Sequence, residues 1–183
     1  LFRHFWAAAD ASSAPVILYN VPSRTAVDLL PATVGRLARH PRIVAIKEAV
    51  GTRERGEQLI AACPASFTLL SGDDATNIEL MSIGAKGTIS VTANIAPRQM
   101  HDACAAALAQ DFATARAIDA ALAALHRDLF VEANPIPVKW ALAELGLIGN
   151  GIRLPLVELS AAHRDSVRRA MQIAGLKREG RAA

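Results

Sequence analysis

The sequence predicts an α/β fold in which parallel strands alternate with helices, followed by a C-terminal region built of helices alone. Three observations lead to it. Four short β-branched or apolar runs, residues 16–20, 43–47, 67–71 and 87–91, are each followed by turn residues. Stretches with apolar residues at helical spacing separate them, so the runs recur at intervals of roughly thirty residues, the length of a strand–helix–strand unit. Beyond Val91 the strand signature stops and only helical periodicity remains.

Taken in order, the opening residues 1–6 read as one face of a helix rather than a leader segment, so the chain is expected to begin in mid-fold. Residues 29–39, 53–62 and 75–83 carry the helices between the strands. Residues 97–109, 112–130, 136–145 and 160–174 form the later helices. Pro97 and Pro135 suit first-turn positions, and Gly146 and Gly175 suit positions just past a helix end. No low-complexity linker intervenes, so the expected division is a soft one, with residues 1–95 holding the strand–helix units and residues 96–183 the last helix of that set and the helical region. Strands covered by helices on both faces belong to a doubly wound sheet or to a barrel. No strand is followed by G-x-G-x-x-G, which favours the barrel over a dinucleotide-binding sheet. Four strands cannot close one, so half a barrel with an open strand edge on each side is expected.

Composition bounds the function. Of the 183 residues 52% are hydrophobic and 20% charged, which suits a packed domain and not a disordered chain. The apolar runs are too short and too interrupted to cross a bilayer, so no membrane partner is expected. The net charge is only +3, and Arg168, Arg169, Lys177, Arg178 and Arg181 supply much of the excess without interleaved aromatics; a solvated final helix, not a nucleic-acid surface, is expected. Cys63 and Cys104 read as buried, reduced core thiols of a cytoplasmic protein. His4, His40, His101, His126 and His163 are scattered without ligand spacing, so no metal is expected and solvated helix positions account for them.

The chemistry concentrates at strand ends. Side chains alternate along a strand, so Ile43, Ala45 and Lys47 share the face toward the barrel axis, while Val44 and Ile46 meet the outer helices. Lys47 therefore stands at the C-terminal strand end, where barrel enzymes place their catalytic groups. Desolvation there lowers an amine's pKa and frees it to attack a ketone. A lysine snorkelling to solvent is the plain alternative. Tyr19 ends the preceding strand with the same inward phase, which brings a phenol able to shuttle protons beside the amine. Arg24 follows in the loop Asn20-Val-Pro-Ser-Arg-Thr25, placed for bidentate capture of a carboxylate or simply solvated. In Ser71-Gly-Asp-Asp-Ala-Thr76, Gly72 permits close backbone approach, and the aspartates, Asp74 above all, are read as caps of the next helix. Val44-Ala-Ile-Lys47 and His126-Arg-Asp-Leu129 imitate protein-kinase motifs, but no Gly-rich loop precedes Lys47 and no Asp-Phe-Gly follows. Residues 126–128 read as the polar face of a helix.

The ordered set Tyr19-Asn-Val-Pro-Ser-Arg-Thr25, Ile46-Lys-Glu-Ala49, Ser71-Gly-Asp-Asp74, Ile89-Ser-Val-Thr-Ala-Asn94 and Val131-Glu-Ala-Asn-Pro-Ile-Pro-Val-Lys139 resembles the dihydrodipicolinate synthase family of pyruvate-dependent class I aldolases, from Leu1 to about Leu176. The resemblance implies a (β/α)8 TIM barrel of which this chain carries about the second half. It implies that Lys47 forms a Schiff base with pyruvate, that Tyr19 relays protons, and that Arg24 binds the carboxylate of aspartate semialdehyde. Gly72 and Ile89 would line the pyruvate site. It further implies a cytoplasmic homo-oligomer, dimer or tetramer, of lysine and diaminopimelate biosynthesis that uses no metal or organic cofactor. Ala26 departs from the family's usual Gly, Val50 from Thr and Ala133 from Pro. The family's first four strands, with a threonine pair of the proton relay, have no counterpart in these residues, so the 183 residues by themselves are expected to be inactive.

Related aldolases, N-acetylneuraminate lyase and those of 2-keto-3-deoxy sugar acids, would keep Tyr19 and Lys47. Arg24 between Ser23 and Thr25 favours the condensation with aspartate semialdehyde. A rival of another kind is a non-catalytic fragment whose open strand edges drive association.

Overall fold

The computed structural model describes residues 1–177, so Arg178 and Arg181 of the basic tail lie outside the described residues. Three parallel strands, β1 (Val16–Asn20), β2 (Ile43–Glu48) and β3 (Thr68–Ser71), form a sheet in the order β1-β2-β3. Around them in chain order run α1 (Phe2–Ala11), α2 (Pro22–Thr25), α3 (Pro31–Leu37), α4 (Arg53–Ala62) and α5 (Asn77–Ser82). A 3-10 turn (Thr92–Asn94) precedes α6 (Pro97–Leu108), α7 (Phe112–Asp128), α8 (Ile136–Glu144) and α9 (Ala161–Ile173). The chain falls into two compact units, Leu1–Ile89 with Ala107–Gln110, and Ser90–Ala106 with the chain from Asp111 onward. Among the described residues no helix is long and apolar enough to cross a membrane.

In the first unit the strands bury one face. Leu18 and Ile46, register partners on β1 and β2, are enclosed with Val34 and Leu37 of α3, Leu59 of α4 and Leu80 of α5, each at most 1% exposed. Full burial of such a side chain contributes about 1.5–3 kcal/mol. Close helix packing needs glycine at Gly35, where a Cβ would run into the backbone carbonyl of Ala62. Thr52 caps α4 by accepting from the Arg55 N–H at 3.2 Å.

Several expectations change. Residues 87–91 do not make a fourth strand: Thr88 forms one parallel bridge with Ser71, flanked by Ser71 N–H donating to Gly87 (2.8 Å) and Ile89 N–H donating to Ser71 (2.9 Å). The Ser90 hydroxyl then accepts from Ala93 N–H at 2.8 Å and turns the chain into the 3-10 segment, which ends the ladder. Val44, expected against the helices, is 39% exposed. The register passes from Val16↔Ile43 to Ile17↔Ala45 and skips Val44, a bulge that leaves the extra residue unpaired and re-aims it. α3 starts at Pro31 rather than residue 29, because Leu29 N–H is taken by the Asn20 side-chain oxygen at 2.9 Å and Pro31 presets the first turn. His40 is buried, with Nδ1 accepting from Arg42 N–H and Nε2 3.0 Å from Asp10, so it is a packed residue and not a solvated one. Cys63 and Cys104 form no disulfide but are only half-buried. Burial pushes the Cys63 thiol up to about 11, which keeps it protonated and unreactive near neutrality.

The second unit is helical. Its core gathers Leu122, Leu125 and Leu129 from α7 and its end, Ala141 of α8, Leu159, and Val167 of α9. Asp111 caps α7 by accepting from Thr114 N–H at 3.0 Å. Pro97 opens α6, whereas Pro135 is the N-cap of α8 and Pro137 occupies its first turn. Gly146 and Gly175 follow helix ends with φ of 77° and 73°, as glycine allows. The 126–128 segment is not a polar surface. His126 and Asp128 are buried, His126 lying between the Thr92 hydroxyl (2.9 Å) and the Asp119 carboxylate (3.4 Å), while Asp128 accepts from Arg127 at 2.6 Å.

Candidate active site

All five residues singled out in the sequence lie in the first unit. Tyr19 and Lys47 are register partners at the C-terminal ends of β1 and β2, so period-two alternation aims both side chains away from the buried Leu18 and Ile46. The Lys47 amine lies 4.4 Å from the centroid of the Tyr19 ring. Burial holds the Lys47 amine below the ordinary lysine pKa; the Asp74 carboxylate opposes that shift and the Arg24 guanidinium adds to it. A larger share of this amine is therefore unprotonated than in a solvated lysine, which is the form that attacks a carbonyl.

Arg24 sits in the last turn of α2, exposed, at the same strand ends and near enough for its charge to act on Lys47. Gly72 closes β3 directly against the lysine: a Cβ there would meet Lys47 Cγ at 2.9 Å, Lys47 Cε at 3.0 Å and Ala49 Cβ at 3.0 Å. Its N–H donates to the Glu48 carbonyl at 2.7 Å, which fixes the loop beside β2. Asp74 is 2% exposed, and the N-cap position of α5 is Thr76, whose hydroxyl donates to Asp73 at 2.8 Å. The Asp74 carboxylate lies near enough for its charge to act on the Lys47 amine. Ile89 is held at one remove: its N–H bonds the Ser71 carbonyl on the far side of β3, and its side chain is 43% exposed.

Behind these groups lies a cluster that the sequence reading passed over. Asn20 Nδ2 donates to both oxygens of Glu48 (3.1 and 3.0 Å) and to Asp28 (2.9 Å). Glu48 also accepts from Val50 N–H at 2.7 Å, and Arg55 clasps Asp28 through both terminal nitrogens at 3.0 and 2.6 Å. Glu48 is fully buried, and that burial pushes its carboxyl above the usual range against the pull of Asn20, Val50 and Arg55. The hydrogen bonds from Arg55 hold Asp28 below the usual range. The available signal was positional: Asn20 and Glu48 directly follow Tyr19 and Lys47, which turns them to the opposite face. Among the described residues no group of three His, Cys, Asp or Glu side chains could hold a metal ion.

Residues 1–174 match the dihydrodipicolinate synthetase family. The chain is similar to the 4-hydroxy-tetrahydrodipicolinate synthase of Methylococcus capsulatus, 60% identical over 176 residues, an alignment covering 96% of this chain and 60% of that protein. Its structure resembles that of the chloride-inhibited dihydrodipicolinate synthase of Acinetobacter baumannii solved with pyruvate, with a TM-score of 0.93 and 51% identity over 96% of this chain and 60% of that one. It also resembles the dihydrodipicolinate synthase of Aquifex aeolicus, with a TM-score of 0.92 and 39% identity over the same shares. The chain thus spans about 60% of the length of the relatives it matches.

Proposed function

The chain belongs to the dihydrodipicolinate synthetase family, and on that premise we propose that it carries the imine-forming end of a class I aldolase. The observation that supports this most is the Lys47 amine, partly desolvated, lying 4.4 Å from the Tyr19 ring centre at paired strand ends. Lys47 would add to the keto carbon of pyruvate, and the Tyr19 phenol would pass the protons needed to expel water from the carbinolamine. The imine loses a methyl proton to become an enamine, whose carbon attacks an aldehyde. Ring closure of the product then expels the lysine. With aspartate semialdehyde as acceptor the product is 4-hydroxy-tetrahydrodipicolinate.

Arg24, exposed at the same strand ends, suits the acceptor's carboxylate. Gly72 keeps the approach to Lys47 open, and Ile89 would form an apolar wall one strand away. The chemistry asks for no metal or organic cofactor, because the imine itself is the electron sink. On this reading the protein works in the cytoplasm as a homo-oligomer, with residues 1–95 supplying the site and 96–183 the helical region. The 183 residues alone would turn over poorly, since the axis-facing Ile17 and Tyr19 are 49% and 44% exposed and a dry, walled site is what strengthens such chemistry.

Two assays on one set of variants, made in the whole protein rather than in these 183 residues alone, test the reading. Exchange of the pyruvate methyl protons with deuterated water, followed by NMR, reports the imine and enamine without any aldehyde. Lys47→Ala should abolish it, and Arg24→Ala should leave it within about threefold of wild type while lowering consumption of aspartate semialdehyde at least about a hundredfold. Equal loss of both reactions in Arg24→Ala would refute the role given to Arg24. A preference for N-acetylmannosamine or a sugar-derived aldehyde over aspartate semialdehyde would move the protein to the related aldolases.

A further inference from the structure

The residues that follow Tyr19 and Lys47, Asn20 and Glu48, are also register partners, and they point to the opposite face of the sheet. Both are buried, at 2% and 0% exposure. A carboxylate taken out of water is costly unless it is paired and hydrogen-bonded, so a fully buried glutamate at a strand tip calls for an account beyond stability. Every polar atom of the Asn20 amide is committed. Its Nδ2 bridges Glu48 and Asp28, and its Oδ1 accepts from Leu29 N–H at 2.9 Å. The bond to Leu29 closes the loop that contains α2 and Arg24. Glu48 in turn pins the turn after Lys47 through Val50 N–H, and Arg55, 3.9 Å from Glu48 and paired with Asp28, offsets one of the two negative charges.

We infer that Asn20 and Glu48 are positioning residues: their amide–carboxylate bridge locks the tips of β1 and β2 in the register that lays the Lys47 amine on the Tyr19 ring, and closes the loop that brings Arg24 to the same end. The inference rests on the imine reading above for the reaction that is served. The placement itself is independent of which carbonyl compound binds. Loosened tips would let water reach Lys47, whose neighbours on the other face are Tyr19, Arg24 and Asp74.

The test reads Lys47 directly in the 183-residue chain. Trace acylation by an amine reagent across a pH series, quantified on the Lys47 peptide by mass spectrometry, gives the titration midpoint of the amine without pyruvate. Borohydride trapping with pyruvate gives the rate of imine formation. Asn20→Ser removes the bridge without adding charge, and Asn20→Asp sets a carboxylate against Glu48. Both should raise the Lys47 midpoint toward that of an ordinary lysine and slow trapping at neutral pH by about tenfold or more, as expected when a reacting group is displaced. The exchanged pair Asn20→Asp/Glu48→Gln restores an amide facing a carboxylate between the two strand tips, though Asp28 loses its amide donor, and should trap pyruvate faster than Asn20→Asp alone. A purely structural role would lower the melting temperature while leaving the midpoint of the folded protein in place. An unmoved midpoint in Asn20→Ser, or an exchanged pair no better than Asn20→Asp alone, overturns the inference. Should Asn20→Asp fail to fold, Asn20→Ser against wild type decides. Failure of wild type to trap pyruvate on Lys47 counts against the imine reading, and the midpoints still decide the positioning.

Discussion

Lys47 carries a cost to folding that the imine chemistry proposed for it would explain. Its pKa is lowered mainly by burial, so between that lowered value and the ordinary lysine value the unfolded chain holds the proton more tightly than the folded one. Stability owed to this group therefore rises with pH through that window. Lys47→Met removes the buried charge; its melting temperature at neutral pH should equal or exceed that of wild type, the alkaline rise should flatten, and pyruvate trapping should vanish. A clear drop in melting temperature would mean that the ammonium is structural. Gly72→Ala makes the complementary case, because a Cβ 2.9 Å from Lys47 Cγ must push the lysine aside. Trapping should slow by about tenfold or more, with the unfolding midpoint changed far less than the rate. Tyr19 and Lys47 were legible in the sequence because strand alternation and position at a strand end depend on local order alone. Asn20 and Glu48 were not, since a polar residue after a strand looks like a turn or a cap until the partners that bury it are known.

The helices follow local pattern where nothing distant intervenes, as α4 and α6 do. Departures occur where a hydrogen bond or a strand pairing outside the periodic pattern decides. The fourth run dissolves after one bridge to Ser71, Val44 bulges out of the β1–β2 ladder, and α3 yields its predicted start to an Asn20 hydrogen bond. Ala26 shows a local cost of the same kind. It ends α2 at φ 55°, ψ 18°, the left-handed conformation that suits glycine and strains an L side chain. Ala26→Gly should raise stability by about 1 kcal/mol in denaturant titration, the relief of strain exceeding the entropy that glycine adds to the unfolded chain. A loss of stability would show that the loop around Arg24 tolerates alanine without strain.

Across the whole chain, the alternating pattern of the first unit and the helical pattern of the second were both readable from periodicity, whereas the burial of His126 beside Thr92 was not, because it depends on how α7 packs onto a distant turn. The site itself is gathered from β1, the loop holding α2, β2 and the end of β3, residues spread from Tyr19 to Asp74, and only the sheet's parallel register makes them neighbours. On the proposed reading, what unites them is one nucleophile, Lys47. The most direct test is borohydride reduction of the protein in the presence of pyruvate, followed by peptide mass spectrometry. The expected product is a single adduct, the reduced pyruvate imine, on Lys47. No adduct, or one on Lys86, Lys139 or Lys177 instead, would contradict it.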